Sequence, residues 1–164
     1  MAVSFVRVDD RMIHGQTCTR WALEYPCDGI VAVNDMAAGN PVLKAAYKSA
    51  SGKKTFVWSL DEFKAKAQKV LDSKDQYFLI AKNPIDMAKI LVDMKFNPGV
   101  KTVIIGPCND RPGTTKLGNN QSITQEEAEA LERIMQAGYE VEFALIKEEA
   151  IGNWRKFRGQ FGFN

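Results

Sequence analysis

Short runs of apolar residues alternate along the chain with longer segments whose apolar residues recur at helical spacing. The runs are rich in β-branched and aromatic residues and show little alternation of polar and apolar positions. That pattern is expected of strands buried on both faces of a parallel sheet. We therefore predict strands at Val3–Val8, Gly29–Asn34, Thr55–Trp58, Gln76–Ala81, Lys101–Gly106 and Tyr139–Ile146.

Helix-start signals precede several of the intervening segments. In two places an asparagine stands before a proline, which suits an N-cap followed by the first helical turn. In two others a Ser or Thr stands three residues before a Glu, which is the spacing of a capping box. Gly138 follows the last of these segments, at the position of a helix C′ residue. The signals lie at Asn40-Pro41, Asn83-Pro84, Ser59–Glu62 and Thr124–Glu127.

This order of elements predicts an α/β fold with an open, mostly parallel central sheet, right-handed crossovers and helices on both faces. No internal repeat or long linker divides the chain, so we expect residues 1–164 to form one domain. Residues 107–122 lack a helical period and form either a long loop or a small hairpin. The tail is expected to be helical and packed on the core, or else to contact another subunit. Its apolar residues at near-helical spacing are Ile151, Trp154, Phe157 and Phe161.

Composition and charge narrow the class of protein. Hydrophobic residues make up 45% of the chain and charged residues 26%, close to globular averages. A net charge of +2 gives no general attraction to nucleic acid or to anionic membranes. No apolar run is long enough to span a bilayer, and the first ten residues do not resemble a signal peptide. The three cysteines form no CxxC pair and are typical of reduced thiols, so we predict a cytoplasmic location.

The loop after the first predicted strand carries the richest chemistry of the chain. Ligands of open α/β sheets bind beyond the carboxyl ends of the strands. There His14, the only histidine, precedes a helical segment whose first N–H groups, those of Gly15 and Gln16 among them, would form an anion site. Arg11 can present a planar guanidinium to phosphate oxygens. A nucleophilic imidazole, an arginine and a helix N-terminus together favour phosphoryl transfer through histidine. Spacing alone also allows the alternative that this histidine is a surface residue or a cap.

Two aspartates and an arginine within a strand adjoin this loop. Asp9 and Asp10 are neighbours, and neighbouring strand residues point to opposite faces, so only one of them can face the site. We predict that one orients the arginine or the histidine of the loop and that the other is structural. Mg²⁺ held by the pair is the alternative, whereas softer metals lack ligands in a chain with one histidine. Arg7 lies among Val and Phe and needs a partner, either Asp9 or Asp35, or else an exposed sheet edge.

These residues resemble a known N-terminal signature. Arg7-x-Asp9-Asp10-Arg11-x-Ile13-His14-Gly15-Gln16, followed by Thr19-Arg20-Trp21, is similar to that of certain enzyme IIB subunits of the bacterial phosphoenolpyruvate-dependent sugar phosphotransferase system. The similarity is to the mannose/fructose/sorbose family. It extends to Val33-Asn34-Asp35 and to Ser122–Val141, and so covers most of the chain. The sequence departs from the family pattern at Pro107–Gly113, where a second glycine-containing turn is usual.

The resemblance implies a phosphotransferase. His14 would receive a phosphoryl group from the phosphohistidine of a IIA protein or domain and pass it to a sugar that enters through the membrane subunits IIC and IID. Arg11 would bind the phosphoryl group. No metal, nucleotide or other cofactor is implied, and the protein would be held at the inner face of the membrane through IIC and IID. No nucleic acid is expected as a partner, and a homo-oligomer stays open. The supporting residues of the site are Arg7, Asp9, Asp10, Gly15 and Gln16.

Other functions stay open on the residues alone. A receiver-like domain phosphorylated on aspartate would combine Asp9 and Asp10 with Lys82, but it needs an acceptor directly after the third strand. The aspartate available there, Asp61, lies inside a capping box. Other IIB families phosphorylate a cysteine, which is not expected here because Cys18 falls within a predicted helix. A non-catalytic binding or regulatory module of the same fold is disfavoured by the intact histidine and arginine.

Overall fold

The computed structural model describes residues 2–14 and 20–164. Its strands are β1 (Val3–Val8), β2 (Gly29–Val33), β3 (Lys54–Trp58), β4 (Tyr77–Ala81), β5 (Thr102–Ile105), β6 (Thr115–Gly118), β7 (Gln121–Ile123), β8 (Glu140–Ala144) and β9 (Ala150–Asn153). One sheet has the order β3-β2-β4-β1-β5-β8-β9. Its neighbouring strands are parallel except for β8 and β9. The predicted strands and the mostly parallel sheet are confirmed.

The α-helices for which the described residues give both ends are α1 (Asp35–Ala38), α2 (Pro41–Ser51), α3 (Leu60–Leu71), α4 (Pro84–Ala88), α5 (Gln125–Gln136) and α6 (Trp154–Phe157). The predicted start signals are confirmed, because the side chains of Asn40 and Asn83 cap α2 and α4 and both capping boxes are closed. Residues 35–38 form a further helical turn, which the side chain of Asn34 caps. Across the described ranges, no helix has the length and apolar character needed to cross a lipid bilayer.

Two apolar clusters cover the two faces of the sheet. On one face, Trp21 and Tyr47 pack with residues of β1, β2 and β4. On the other face the apolar side chains come from α3, α4 and α5, including Phe63, Met87 and Leu131. The chain therefore leaves β1 towards one face and leaves the neighbouring strand β5 towards the other. Such a switch opens a crevice at the carboxyl ends of the two strands, which is the usual ligand position in this fold class.

Strand pairing decides between the alternatives predicted for residues 107–122 and for the C-terminal tail. Residues 107–122 contain most of a hairpin in which β6 and β7 are antiparallel, so the hairpin alternative holds. The expected C-terminal helix begins only at Trp154, because Ile151 belongs to β9 instead. That strand pairs with the outer edge of β8 and covers its open backbone groups. Trp154, Phe157 and Phe161 are buried in the chain's own core, as the packing alternative predicts.

Glu132 on α5 holds the C-terminal tail in place. Its carboxylate accepts hydrogen bonds from Arg158 Nε and Nη2, at 2.9 and 2.5 Å, and from Trp154 Nε1 at 2.9 Å. The bonds from Arg158 lower the pKa of Glu132 to about 2. A carboxyl group whose pKa is lower in the folded state stabilises the fold above its unfolded pKa, and this contribution is lost as the pH falls through the folded pKa.

We expect Glu132→Gln to lower the free energy of unfolding at neutral pH by on the order of 1–3 kcal/mol, because charge-assisted hydrogen bonds are replaced by neutral ones. The difference from wild type should be full above about pH 4.5 and should shrink as the pH falls towards about 2. Urea unfolding at several pH values measures it. Glu129→Gln, on the exposed side of the same helix, is the control. Equal losses for the two variants at neutral pH would contradict a role for the Glu132 carboxylate.

Candidate active site

The loop that follows β1 turns back over the end of the sheet. Its first residue, Asp9, donates its backbone N–H to the carbonyl of Ala81 and accepts at its own carbonyl from Met12 N at 2.9 Å. Met12 has a φ of 59°, in the left-handed region that non-glycine residues seldom adopt. Met12 and Ile13 are both buried in the cluster on the Trp21 face. Their burial anchors the turn, and His14 follows it with its side chain 21% exposed.

The Asp9 carboxylate is the centre of the site. Its Oδ1 accepts a hydrogen bond from the backbone N–H of Arg11 at 2.9 Å. Its Oδ2 lies 3.3 Å from His14 Nε2 and 3.3 Å from Arg7 Nε. Asp9 is 1% exposed, so these contacts are shielded from water. A carboxylate only accepts hydrogen bonds, so the proton on the facing histidine nitrogen belongs on Nε2 and the Nδ1 lone pair is directed elsewhere.

Arg7 is a buried cation that ties this carboxylate to the end of β8. Its Nη1 and Nη2 donate to the carbonyls of Ala144 and Leu145 at 3.1 and 2.9 Å, and its guanidinium lies 5.2 Å from the centroid of the Trp21 ring. Asp9 and Asp35 were the two predicted partners of Arg7. The structure shows Asp9 in contact with Arg7, whereas Asp35 accepts a hydrogen bond from the backbone N–H at the start of α3. β1 lies inside the sheet, so the alternative of an exposed sheet edge is wrong.

The second aspartate of the pair points to the opposite side of the loop. Asp10 Oδ2 accepts from the backbone N–H of Asn109 at 2.7 Å, and its carbonyl accepts from Lys82 Nζ at 3.0 Å. Burial raises the pKa of Asp10, against the lowering effect of the Asn109 hydrogen bond. Asp10 thus anchors the loop after β5 to the loop after β1, whereas Asp9 contacts His14. Arg11 is exposed; Gly15, Gln16 and Cys18, with the N–H groups expected to bind an anion, lie outside the described residues.

The side chains needed for phosphorylation of an aspartate or a cysteine, or for metal binding, are placed less favourably for those functions. Asp61 lies in the first turn of α3 next to the residue that closes the capping box, and Lys82 meets a carbonyl rather than a carboxylate. Burial raises the pKa of the Cys108 thiol to about 12, which makes it a poor nucleophile. In the described ranges, His, Cys, Asp and Glu side chains form no group of three that could hold a metal ion.

Gly106 is a residue of this site that the sequence analysis did not single out as functional. A Cβ atom at this position would lie 2.5 Å from Arg7 Cζ and 2.9 Å from Arg7 Nε. The hydrogen-bonded guanidinium therefore occupies the space that any other residue would fill. The sequence feature that could have indicated this role is a glycine directly after β5, next to a strand that carries a buried arginine.

We expect Gly106→Ala to lower the free energy of unfolding by about 1–3 kcal/mol, because the new methyl group forces Arg7 away from the carbonyls of Ala144 and Leu145. That loss corresponds to a decrease in Tm of roughly 2–12 °C for a domain of this size. Thermal unfolding followed by circular dichroism measures it. Gly159→Ala is the control, since nothing lies within 4 Å of a Cβ atom built there. Equal Tm values for the two variants would contradict the close packing of Arg7 on Gly106.

Solved structures with this arrangement of strands and helices are known. The IIBSor domain of the sorbose permease from Klebsiella pneumoniae superimposes with a TM-score of 0.86 at 23% identity, over 97% of this chain and 98% of that one. The structure of manxB from Thermoanaerobacter tengcongensis gives a TM-score of 0.80 at 28% identity, over 92% and 91% of the two chains. The fold is that of the IIB components of sugar phosphotransferase systems.

The family follows from the sequence match. The family model described as "PTS system sorbose subfamily IIB component" matches residues 3–163, and the chain belongs to this family. The mannose-specific EIIAB component of Escherichia coli K12 is 28% identical over an alignment of 155 residues that covers 91% of this chain. This chain spans only 46% of the length of that relative. The fructose-specific EIIB component of Bacillus subtilis is 25% identical over 162 residues, covering 92% of this chain and 91% of the relative.

Proposed function

We propose that residues 1–164 act as one phosphocarrier domain, in which His14 accepts a phosphoryl group from a phosphorylated IIA protein or domain and passes it to a sugar. The sugar would enter through membrane subunits IIC and IID, which would hold this domain at the cytoplasmic face of the membrane. Membership of the IIB family supports a role in phosphoryl transfer. The observation that carries the assignment to His14 is the contact between its Nε2 and the buried carboxylate of Asp9.

That contact selects the reacting nitrogen. With its proton directed at Asp9, Nε2 has no lone pair for attack, so Nδ1 is the nucleophile. In the first transfer a new P–N bond forms at Nδ1 while the P–N bond of the donor histidine breaks. The phosphorylated ring then carries positive charge through its Nε2 proton, and Asp9 stabilises this charge. A protonated ring is also the better leaving group in the second transfer.

The two arginines of the site have different proposed roles. Arg11 has an exposed side chain, and its backbone is fixed by Asp9 Oδ1, so its guanidinium is free to meet the equatorial oxygens of the phosphoryl group. Arg7 is buried and hydrogen-bonded to two carbonyls, so it positions Asp9 rather than the phosphoryl group. Asp10, Gly15 and Gln16 are proposed to support the same loop. The reaction assigned to these residues needs no metal or nucleotide.

The proposal predicts uptake of one phosphoryl group. The purified protein would be incubated with phosphoenolpyruvate, the general proteins of the phosphotransferase system and the cognate IIA, and then analysed by intact mass. We expect a single phosphate that is labile in acid and stable in alkali, as a phosphoramidate is. The reverse stability would assign the phosphate to an aspartate. If the protein takes up no phosphate from a IIA that is itself shown to be phosphorylated, it is not a phosphocarrier. Retained affinity for IIA would then identify it as a binding module.

The sugar is addressed by a second assay. Mannose, fructose and sorbose are the sugars named for the relatives, so they form the first panel of acceptors. Discharge of the phosphorylated protein in the presence of membranes that contain IIC and IID measures the transfer to each sugar.

A further inference from the structure

Trp21 is a buried side chain to which the proposed mechanism gives no role. It is 3% exposed and packs on the sheet face that also buries Met12 and Ile13. Its ring stacks on the ring of Phe5, with centroids 4.9 Å apart and an angle of 28° between the ring planes. Packing of this kind needs only a large aromatic ring. The indole makes polar contacts as well, and these contacts lead to the histidine.

The indole N–H binds the same carbonyl that holds Arg7. Trp21 Nε1 donates to the carbonyl of Leu145 at 3.2 Å, and Arg7 Nη2 donates to it at 2.9 Å. A backbone carbonyl has two lone pairs, so these two donors use its full accepting capacity. The guanidinium of Arg7 also lies 5.2 Å from the centroid of the Trp21 ring, within the range of cation–π attraction. Trp21 therefore holds Arg7 both directly and through the carbonyl that they share.

Trp21 also leaves little room for water beside the ion pair of Arg7 and Asp9. These three side chains line a gap of only about 10 Å³. That volume is at the lower limit of what one water molecule needs. In such a dry site the contact between Arg7 Nε and Asp9 Oδ2 is not weakened by solvent. A side chain smaller than tryptophan would open space for water next to the carboxylate.

The carboxylate that Arg7 holds is the one that faces the histidine. Asp9 Oδ2 lies 3.3 Å from Arg7 Nε and 3.3 Å from His14 Nε2. The position of this oxygen decides which ring nitrogen meets an acceptor and so carries the proton of the neutral ring. A change that loosens Arg7 therefore acts on the proton of His14.

The segment that carries Trp21, residues 20–25, is fastened to the end of β8 and the turn that follows it. The hydrogen bond from Trp21 to the Leu145 carbonyl involves a buried indole. Ion pairs between exposed side chains also join the two segments, but water screens such pairs and they contribute little. These pairs are Arg20–Glu148 and Glu24–Lys147. The indole is thus the stronger of these links between the segment and the carbonyls that bind Arg7.

We infer that Trp21 is a positioning residue for phosphoryl transfer: it holds Arg7 and excludes water from the Arg7–Asp9 pair, and this keeps the proton of the neutral His14 ring on Nε2. The inference rests on the proposed function. Trp21 itself touches neither the phosphoryl group nor the reacting nitrogen. If Trp21 only filled the core, its replacement would lower stability and leave the proton and the transfer rate unchanged.

Three variants separate these two roles. Trp21→Leu removes the ring and the N–H, whereas Trp21→Phe keeps an aromatic ring and removes the N–H. Trp58→Leu is the matched control, because Trp58 is also buried and stacks on a phenylalanine, Phe56, at 5.1 Å between centroids. Trp58 lies on β3, which two strands separate from β1, and it packs on the opposite face of the sheet.

Two measurements are made on variants that circular dichroism shows to be folded. The first is the ¹⁵N spectrum of the His14 ring in the unphosphorylated protein, recorded at a pH at which the ring is neutral. The second is the single-turnover rate of phosphorylation by charged IIA.

We expect the proton on Nε2 alone, and equal rates, in wild type and Trp58→Leu. Trp21→Leu should show a mixture of protons on Nε2 and Nδ1 and a rate lower by roughly tenfold to a hundredfold, the loss that a displacement of about 1 Å at a reacting group can cause. Trp21→Phe should show a smaller fraction on Nδ1 and a rate reduced by less than about tenfold, as expected for loss of one neutral hydrogen bond.

A folded Trp21→Leu protein with the wild-type spectrum and rate would overturn the inference and leave Trp21 a core residue only. A lower rate with the proton still on Nε2 alone would overturn it too, as would the same mixture of protons in Trp58→Leu. If Trp21→Leu does not fold, Trp21→Phe decides, and a spectrum and rate equal to wild type would overturn the inference. The spectrum needs no partner protein, so it tests the proton position separately; absence of phosphate uptake by wild type would instead overturn the proposed function.

Discussion

Replacing His14 by alanine is expected to abolish phosphorylation by charged IIA and to leave the fold intact. The chain has no second histidine, and the Cys108 thiol is too basic to take over as nucleophile. His14 lies in a loop with part of its side chain exposed, so its loss should change the free energy of unfolding by about 1 kcal/mol or less. Intact mass after incubation with charged IIA measures the first effect, and thermal unfolding measures the second.

A second variant separates the nucleophile from the contact with Asp9. His14→Gln retains an amide group that can donate a hydrogen bond to the carboxylate, but it has no nucleophilic ring nitrogen. It should therefore be as inactive as His14→Ala and at least as stable. A phosphorylated His14→Ala protein, with its phosphate mapped to another residue, would place the acceptor outside this loop.

Asp9→Asn is expected to slow phosphorylation of His14 by a factor of roughly 10² to 10⁴, because neutralising a buried carboxylate that orients a catalytic histidine costs up to about 10⁴ in rate. The carboxamide retains an oxygen for the N–H of Arg11, which leaves its NH₂ group facing Arg7 and His14. Two donors cannot share a hydrogen bond, so the His14 proton moves to Nδ1 and blocks the nucleophilic lone pair. Single-turnover kinetics by quenched flow measures the rate of phosphorylation.

The position of the proton is a readout that a general loss of stability would not change. ¹⁵N spectra of the His14 ring should show the proton of the neutral form on Nε2 in wild type and on Nδ1 in Asp9→Asn. Asp10→Asn is the matched control, because Asp10 lies on the other side of the loop and should leave the proton on Nε2. A wild-type rate in Asp9→Asn would remove the Asp9–His14 contact from the transfer mechanism.

Local sequence was sufficient for most of the secondary structure. The strands are continuous apolar runs, and helix starts depend on side chains that bond to a backbone N–H three residues later. Asn40, Asn83, Ser59 and Thr124 all cap as expected, because a cap needs only its own turn. The boundary of the C-terminal helix was wrong because β9 forms only where the open edge of β8 offers it a partner.

The candidate site, too, was predictable from the sequence only in part. Alternation along a strand and loop predicted that the two aspartates point to opposite sides, and a buried arginine predicted a nearby acid. Which aspartate faces His14 depends on how residues 9–14 turn, and that turn depends on the burial of Met12 and Ile13 against the sheet. No local pattern indicated that Gly106 leaves room for a guanidinium, because the two residues meet only across neighbouring strands.

By itself, therefore, the sequence determined the α/β class, the strands, the helix starts and the loop that carries the only histidine. These features depend on periodicity and on contacts a few residues apart. The tertiary structure alone decided that Arg7, Asp9 and His14 form one chain of contacts, and that the carbonyls of Ala144 and Leu145 hold the guanidinium of Arg7. Those residues lie in β1, in the loop after it and at the end of β8, far apart in sequence, and only the order and register of the strands bring them together.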